Sequence, residues 1–169
     1  IAFFGGSFTG IERGEMIYLL SLAKAYIDAG RVESVRLSTR PDYIDEEILD
    51  ILEKYGVKTV ELGIQSISDK VLLASNRGHT AKASLRAMKM ISERGFELVG
   101  QMMVGLPCAA PEDEYATARD ICLWGADAAR IYPTVVFCGT ELCEMAKRGE
   151  YTPLTLENAV ERSVGVKKI

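Results

Sequence analysis

Short apolar runs and longer amphipathic stretches alternate along this chain, and the alternation predicts a series of parallel β/α units. Ile1 to Phe4 reads as a first strand and Met16 to Ala29 as the helix after it; Ser34 to Ser38 and Asp45 to Tyr55 repeat the pair. In the first helix, Met16, Leu19, Leu20, Ala23, Tyr26 and Ile27 form one stripe at spacings of three and four. That face should cover the sheet, and Gly30 suits the C-terminal cap. In the second helix, Asp45, Glu46 and Glu47 satisfy free amides and offset the helix dipole. Ile48, Leu49, Ile51 and Leu52 supply its buried stripe, and Gly56 stops it.

The pattern continues with a third strand from Thr59 to Ile64, a short helix through Val71 and Leu72, a polar corner at Asn76 to His79, and a helix opened by Thr80 and closed by Gly95. A fourth strand, Leu98 to Val104, is halted by Gly105-Leu106-Pro107. Pro111 with three following acids then opens a helix that runs to Trp124-Gly125. Ala128 to Pro133 reads as strand five, its extension toward Val136 left open, and Thr155 to Val164 as a last helix. The expectation is α/β: about five β/α units, parallel strands with outer helices, in a single domain over residues 1–169 that forms an open or closed barrel. Right-handed crossovers would bring every strand's C-terminal end to one rim, where parallel α/β proteins build their sites.

Composition narrows the classes. The 169 residues, 48% hydrophobic, suffice for one buried core. A formal charge of −4 leaves no electrostatic footprint for nucleic acid within this segment. No run is long enough to span a bilayer and no signal peptide is visible, which predicts a soluble, cytoplasmic protein. The chain opens inside an apolar strand without Met, so part of a longer protein is expected. Cys108, Cys122, Cys138 and Cys143 have wide, irregular spacing with only His79 as a nitrogen ligand. They compose no metal or cluster motif and read as small hydrophobes in a reducing compartment.

Candidate chemistry lies on the rim. Gly5-Gly6-Ser7 follows strand one, and its missing β-carbons would let a ligand approach backbone groups. It lacks the phosphate-loop Lys and the spaced three-glycine fingerprint. Ser38-Thr39-Arg40-Pro41-Asp42 follows strand two; Gln65 and Ser66 follow strand three, with Arg77 and His79 in the next corner. Gln101, Met103 and Ile131-Tyr132-Pro133 complete the rim, with flat apolar faces that could line an adenine slot. Polar groups converging from neighbouring units imply a small-molecule site. His79 reads as a turn residue that hydrogen-bonds its corner, and no residue is assigned a catalytic role.

In order along the chain, Phe4-Gly5-Gly6-Ser7-Phe8-Thr9, Leu37 to Asp42, Glu61-Leu62-Gly63-Ile64-Gln65-Ser66, Asn76-Arg77-Gly78-His79-Thr80, Gly105-Leu106-Pro107 and Ile131-Tyr132-Pro133 resemble radical S-adenosylmethionine (SAM) enzymes. The branch with the Elongator catalytic subunit is most similar, and the oxygen-independent coproporphyrinogen III oxidases are more distant. The resemblance covers Phe3 to about Leu142 and implies part of a TIM-type (β/α)6 barrel. It implies that Gly5 and Gly6 meet the SAM amino group, that Gln65 and Arg77 hold ribose and carboxylate, and that Ser38 and Gln101 fall at further SAM contacts; Ser7, Met103 and Tyr132 join the candidate SAM contacts by their place on the rim. Ser38 and Gln101 are neutral where relatives carry acids. A 4Fe-4S cluster is implied as second cofactor, with its three cysteines outside these residues. In the family the cluster reduces SAM to methionine and a 5′-deoxyadenosyl radical that abstracts substrate hydrogen, while the protein orients and excludes water. This segment alone is therefore expected to be inactive. The branch implies tRNA modification through regions outside the segment. A coproporphyrinogen oxidase-like enzyme, a noncatalytic SAM-binding or scaffold domain, and a phosphate-binding barrel enzyme are the alternatives.

Overall fold

The computed structural model describes residues 1–169. Five parallel strands form one open sheet in the order β1-β2-β3-β4-β5: β1 Ala2–Phe3, β2 Val35–Thr39, β3 Val57–Gln65, β4 Glu97–Val104 and β5 Ala128–Pro133. The strictly sequential order distinguishes this arc from a doubly wound sheet, whose order reverses at a switch point. Repeated right-handed crossovers in one direction put the helices on one face, as in the wall of a barrel.

The helices are α1 Arg13–Asp28, α2 Glu46–Lys54, α3 Asp69–Ala74, α4 Ala81–Glu93, α5 Pro111–Leu123, α6 Glu141–Lys147 and α7 Leu156–Lys167. Their starts are chemically explicit. Asp45, Thr80, Thr140 and Thr155 accept a hydrogen bond from the backbone amide three residues on, and Glu12 does the same for α1, which begins at Arg13, three residues before the predicted Met16. Helix α6 has no counterpart in the apolar pattern because none of its residues is buried, so it carries no stripe to read.

Twenty-four buried apolar residues form a continuous core between sheet and helices. Leu37, Val60, Leu62, Ile64, Leu98 and Met102 enter from the sheet; Met16, Leu20, Leu49, Leu52, Met88, Ile91 and Ile121 meet them from the helices. The predicted stripe of α1 needs one correction: Tyr26 is 50% exposed, because it lies on the flank of the face that Met16, Leu20, Ala23 and Ile27 turn to the core. Ile51 is only partly buried. All four cysteines are free, but their exposure departs from the reading as small hydrophobes: Cys108, Cys122 and Cys138 are exposed, and Cys143 is half-buried. No helix is long and apolar enough to cross a membrane.

The C-terminal helix is tied to the rim by a buried ion pair. Arg162 on α7 donates from Nε and Nη2 to the carboxylate of Glu114 on α5, and Glu114 also accepts from the amide of Gly105 at 2.6 Å. Tyr151 donates to the Gly105 carbonyl at 2.8 Å, so both polar groups of that buried glycine are satisfied. Gly105 has φ +76°, and a side chain there would collide with Leu154.

Candidate functional site

Side chains alternate across each strand, so the strands that bury leucines toward the helices turn a second, polar set toward the opposite face. That set includes Ser38 of β2, Glu61, Gly63 and Gln65 of β3, Gln101 of β4, and Arg130 and Tyr132 of β5. With the glycine turn after β1 they line a cleft of about 500 Å³, a volume in the range of small-molecule and cofactor sites.

Eight of the nine residues singled out from the sequence as SAM contacts line this cleft: Gly5, Gly6, Ser7, Ser38, Gln65, Arg77, Gln101 and Tyr132. Met103 does not line it; its sulfur accepts a hydrogen bond from Arg77 Nη2 at 2.7 Å and so steadies the guanidinium. Phe4, Thr39, Arg40, Glu61, Gly63 and Arg130 also line the cleft and were not singled out as contacts. For Glu61 and Arg130 a signal existed, since a charge inside an otherwise apolar strand has to face a polar lumen.

The loops are locked to one another. Thr9 Oγ1 lies 2.6 Å from Thr39 Oγ1 and donates to the Tyr43 carbonyl at 2.8 Å, joining the turn after β1 to the turn after β2. Ser38 donates to the Gly6 carbonyl at 3.4 Å. Gly5 has φ +102° and a β-carbon on it would meet nothing within 4 Å, so the bare backbone faces open space.

Gln65 is buried at φ +66°, a left-handed conformation that costs a side-chain-bearing residue about 1 to 3 kcal/mol. It sits where the β3–β4 register shifts, between Gly63 and Gln65, and the irregularity turns its amide toward Gln101, whose Nε2 donates to Gln65 Oε1 at 3.4 Å. A β-carbon at Gly63 would fall 2.9 Å from Gln65 Nε2, so a larger residue there would displace the Gln65 amide.

Two arginines on the rim differ in their partners. Arg40 binds both carboxylate oxygens of Asp42, at 2.9 and 2.7 Å, and the hydrogen bonds raise its pKa above the usual guanidinium value. Arg77 has no carboxylate partner; its Nε is buried without a hydrogen bond, and burial, followed by repulsion from Arg40, holds its pKa below the usual value. An unpaired, partly desolvated guanidinium facing a cleft is a receptor for an anion. His79 behaves as the corner residue expected of it: Nε2 lies 3.1 Å from the Ile64 carbonyl, which can only accept, so that nitrogen carries the proton.

The donor set fits SAM. Exposed backbone at Gly5 and Gly6, an amide at Gln65 and an unpartnered cation at Arg77 suit its ammonium, ribose and carboxylate. Residues 1–169 do not fit a cluster: no group of three or more Cys, His, Asp or Glu could hold a metal.

Residues 1–121 match the radical SAM superfamily model and residues 126–169 match the radical SAM C-terminal domain. Curated relatives include the tRNA uridine(34) acetyltransferase of Methanocaldococcus jannaschii, 35% identical over 134 residues, covering 78% of this chain and 25% of that protein. Elongator complex protein 3 of Schizosaccharomyces pombe is 33% identical over 134 residues, covering 76% of this chain and 25% of that protein. The chain thus spans about a quarter of the length of these relatives. Among solved structures, Elp3 of Methanocaldococcus infernus, lacking its N-terminal 46 residues, aligns with TM-score 0.87 and 27% identity over 99% of this chain and 44% of that one. The Escherichia coli coproporphyrinogen III oxidase HemN aligns with TM-score 0.75 and 16% identity over 97% of this chain and 38% of that one, a likeness of fold. On the family model and the shared arc of strands together, this chain belongs to the radical SAM superfamily.

Proposed function

We propose that the cleft holds SAM for a radical SAM enzyme that modifies tRNA, and that residues 1–169 provide the SAM-holding wall of that enzyme. The observation that carries this reading is the unpaired Arg77 beside the strained amide of Gln65 and the open backbone of Gly5 and Gly6, all lining one cleft. The tRNA assignment rests on the relatives named tRNA uridine(34) acetyltransferase and Elongator complex protein 3.

In this reading Arg77 binds the SAM carboxylate, and its partial burial strengthens the pairing because water competes less. Gln65 offers its amide to the ribose hydroxyls, held in place by backbone strain and by Gln101. The carbonyls of the glycine turn accept from the ammonium, and Ser38 fixes that turn through Gly6. Bound SAM would supply an adenosyl carbon for hydrogen abstraction after one-electron cleavage at a cluster whose ligands lie outside these residues.

The test is release of 5′-deoxyadenosine by the full-length gene product, reconstituted anaerobically with iron, sulfide, SAM and a reductant. Release is expected, increased by unmodified tRNA. Absence of release from protein with a demonstrably loaded cluster would overturn the enzyme reading and leave a SAM-holding scaffold.

A further inference from the structure

The cleft carries charge that SAM does not use. Glu61, on β3, has a side chain only 2% exposed, and its Oε2 is shared by Arg36 Nη2 from β2 and Arg130 Nε from β5, each at 3.4 Å. The Phe4 ring packs against both guanidinium groups, 5.7 Å from Arg36 Cζ and 5.6 Å from Arg130 Cζ. Arg130 Nη1 also donates to Tyr132 Oη at 3.2 Å. One carboxylate neutralises one of two guanidiniums, so the trio keeps a positive charge. The arginines remain partly accessible, their side chains 37% and 41% exposed, and Arg130 lines the cleft.

The imbalance extends across the site. Arg40, Arg77 and Arg130 line the cleft, with Arg36 beside them on Glu61, and their carboxylate partners are Asp42 and Glu61 alone, a positive surplus inside a chain of formal charge −4. SAM cannot compensate it, because its sulfonium and ammonium outnumber its single carboxylate. At these arginines an anionic ligand is therefore favoured beside SAM.

We propose that Arg130, with Arg36 behind it, forms a second oxyanion subsite, sharing no partner with Arg77, that takes a phosphate of a nucleotide substrate, while Glu61 serves as a positioning residue for both guanidiniums. The proposal rests on the radical SAM reading of the cleft and names the chemistry of the molecule bound beside SAM. Phosphate is favoured over carboxylate because the substrate proposed above is a polynucleotide, every linkage of which carries one, and its oxygens accept the arginine fork. Phe4, 53% exposed next to the pair, offers a face on which a base can stack.

The experiment compares calorimetric binding of uridine 5′-monophosphate and of uridine to the full-length gene product in the presence of SAM. The nucleotide should bind about tenfold more tightly or better, the signature of one productive charge-assisted contact. Arg130→Gln should reduce that ratio toward one. Arg130→Lys, which keeps the charge and loses the fork, should retain part of it and serves if the glutamine variant does not fold. Equal binding of nucleotide and nucleoside by the wild type, or an undiminished ratio in a folded Arg130→Gln protein, overturns the subsite. Glutarate displacing the nucleotide more strongly than phosphate does would also overturn it, by assigning the subsite to a carboxylic acid. SAM affinity on the same samples separates the two readings: a wild type that prefers the nucleotide yet binds no SAM sinks the function proposed above and supports the subsite.

Discussion

The two faces of the one sheet are built on opposite principles. Toward the helices, Leu37, Val60, Leu62, Ile64, Leu98 and Met102 are fully buried among apolar neighbours. Toward the cleft, the same strands present Ser38, Glu61, Gly63, Gln65, Gln101 and Arg130, with an unpaired charge at Arg77, a left-handed Gln65 and a carboxylate shared by two arginines. The first face is tightly packed and stabilising. The second costs stability through strain and desolvation, and keeps its groups oriented only because the first face holds the strands rigid. Stability and ligand recognition are thus separated by the two-residue period of a strand, and substitutions on the two faces should move different observables.

The largest effect is expected on the packed face. Leu62→Ala should lower the unfolding free energy by about 2 to 5 kcal/mol, read by denaturant titration, while SAM affinity of the folded protein stays within about twofold. Comparable losses of both would mean that the faces are not separable. On the cleft face, Arg77→Met keeps the alkyl stem and removes the unpaired charge. It should weaken SAM binding about ten- to a hundredfold by calorimetry and leave stability within about 0.5 kcal/mol of the wild type. A large stability loss instead would make Arg77 a structural residue.

Gln65→Gly is a sharper probe, because it relieves strain and deletes a ligand contact together. Stability should rise by up to about 1 kcal/mol while SAM affinity falls. A fall in both would show that the left-handed backbone is stabilised by the buried amide, not imposed on it. The smallest effect concerns the C-terminal tie. Burial raises the pKa of Tyr151 above the usual tyrosine value, so the folded state favours the neutral phenol. Its contribution should be fully present below about pH 10 and fade as pH rises through the higher folded-state value, and Tyr151→Phe should flatten that decline in thermal melts between about pH 9 and 11.

Most of the fold was legible because it is written in local signals. The apolar stripe of α2, the helix starts at Asp45 and Thr80, and the apolar runs of β2 to β4 each depend on residues a few positions apart. Helix α6 was not legible, since none of its residues is fully buried, and Tyr26 was misread because spacings of three and four do not say how wide a face of α1 the sheet covers. Within the cleft, the glycine turn, Gln65 and Arg77 could be picked out from motif order along the chain. The pairing of Arg36 and Arg130 on Glu61 could not, because those residues lie on three different strands and meet only through sheet register.

By itself, the sequence determined the alternation of strands and helices, the rim on which chemistry gathers and the family resemblance of its motifs, all of which depend on short-range periodicity and order. Only the tertiary structure decided that Gln65 is held in a left-handed conformation, that Arg77 has no counter-charge and a sulfur for a neighbour, and that Glu61 is divided between two arginines. The physical reason is that charge, strain and desolvation depend on distances between residues remote in the chain, and those distances are set when the strands take their register against a common core.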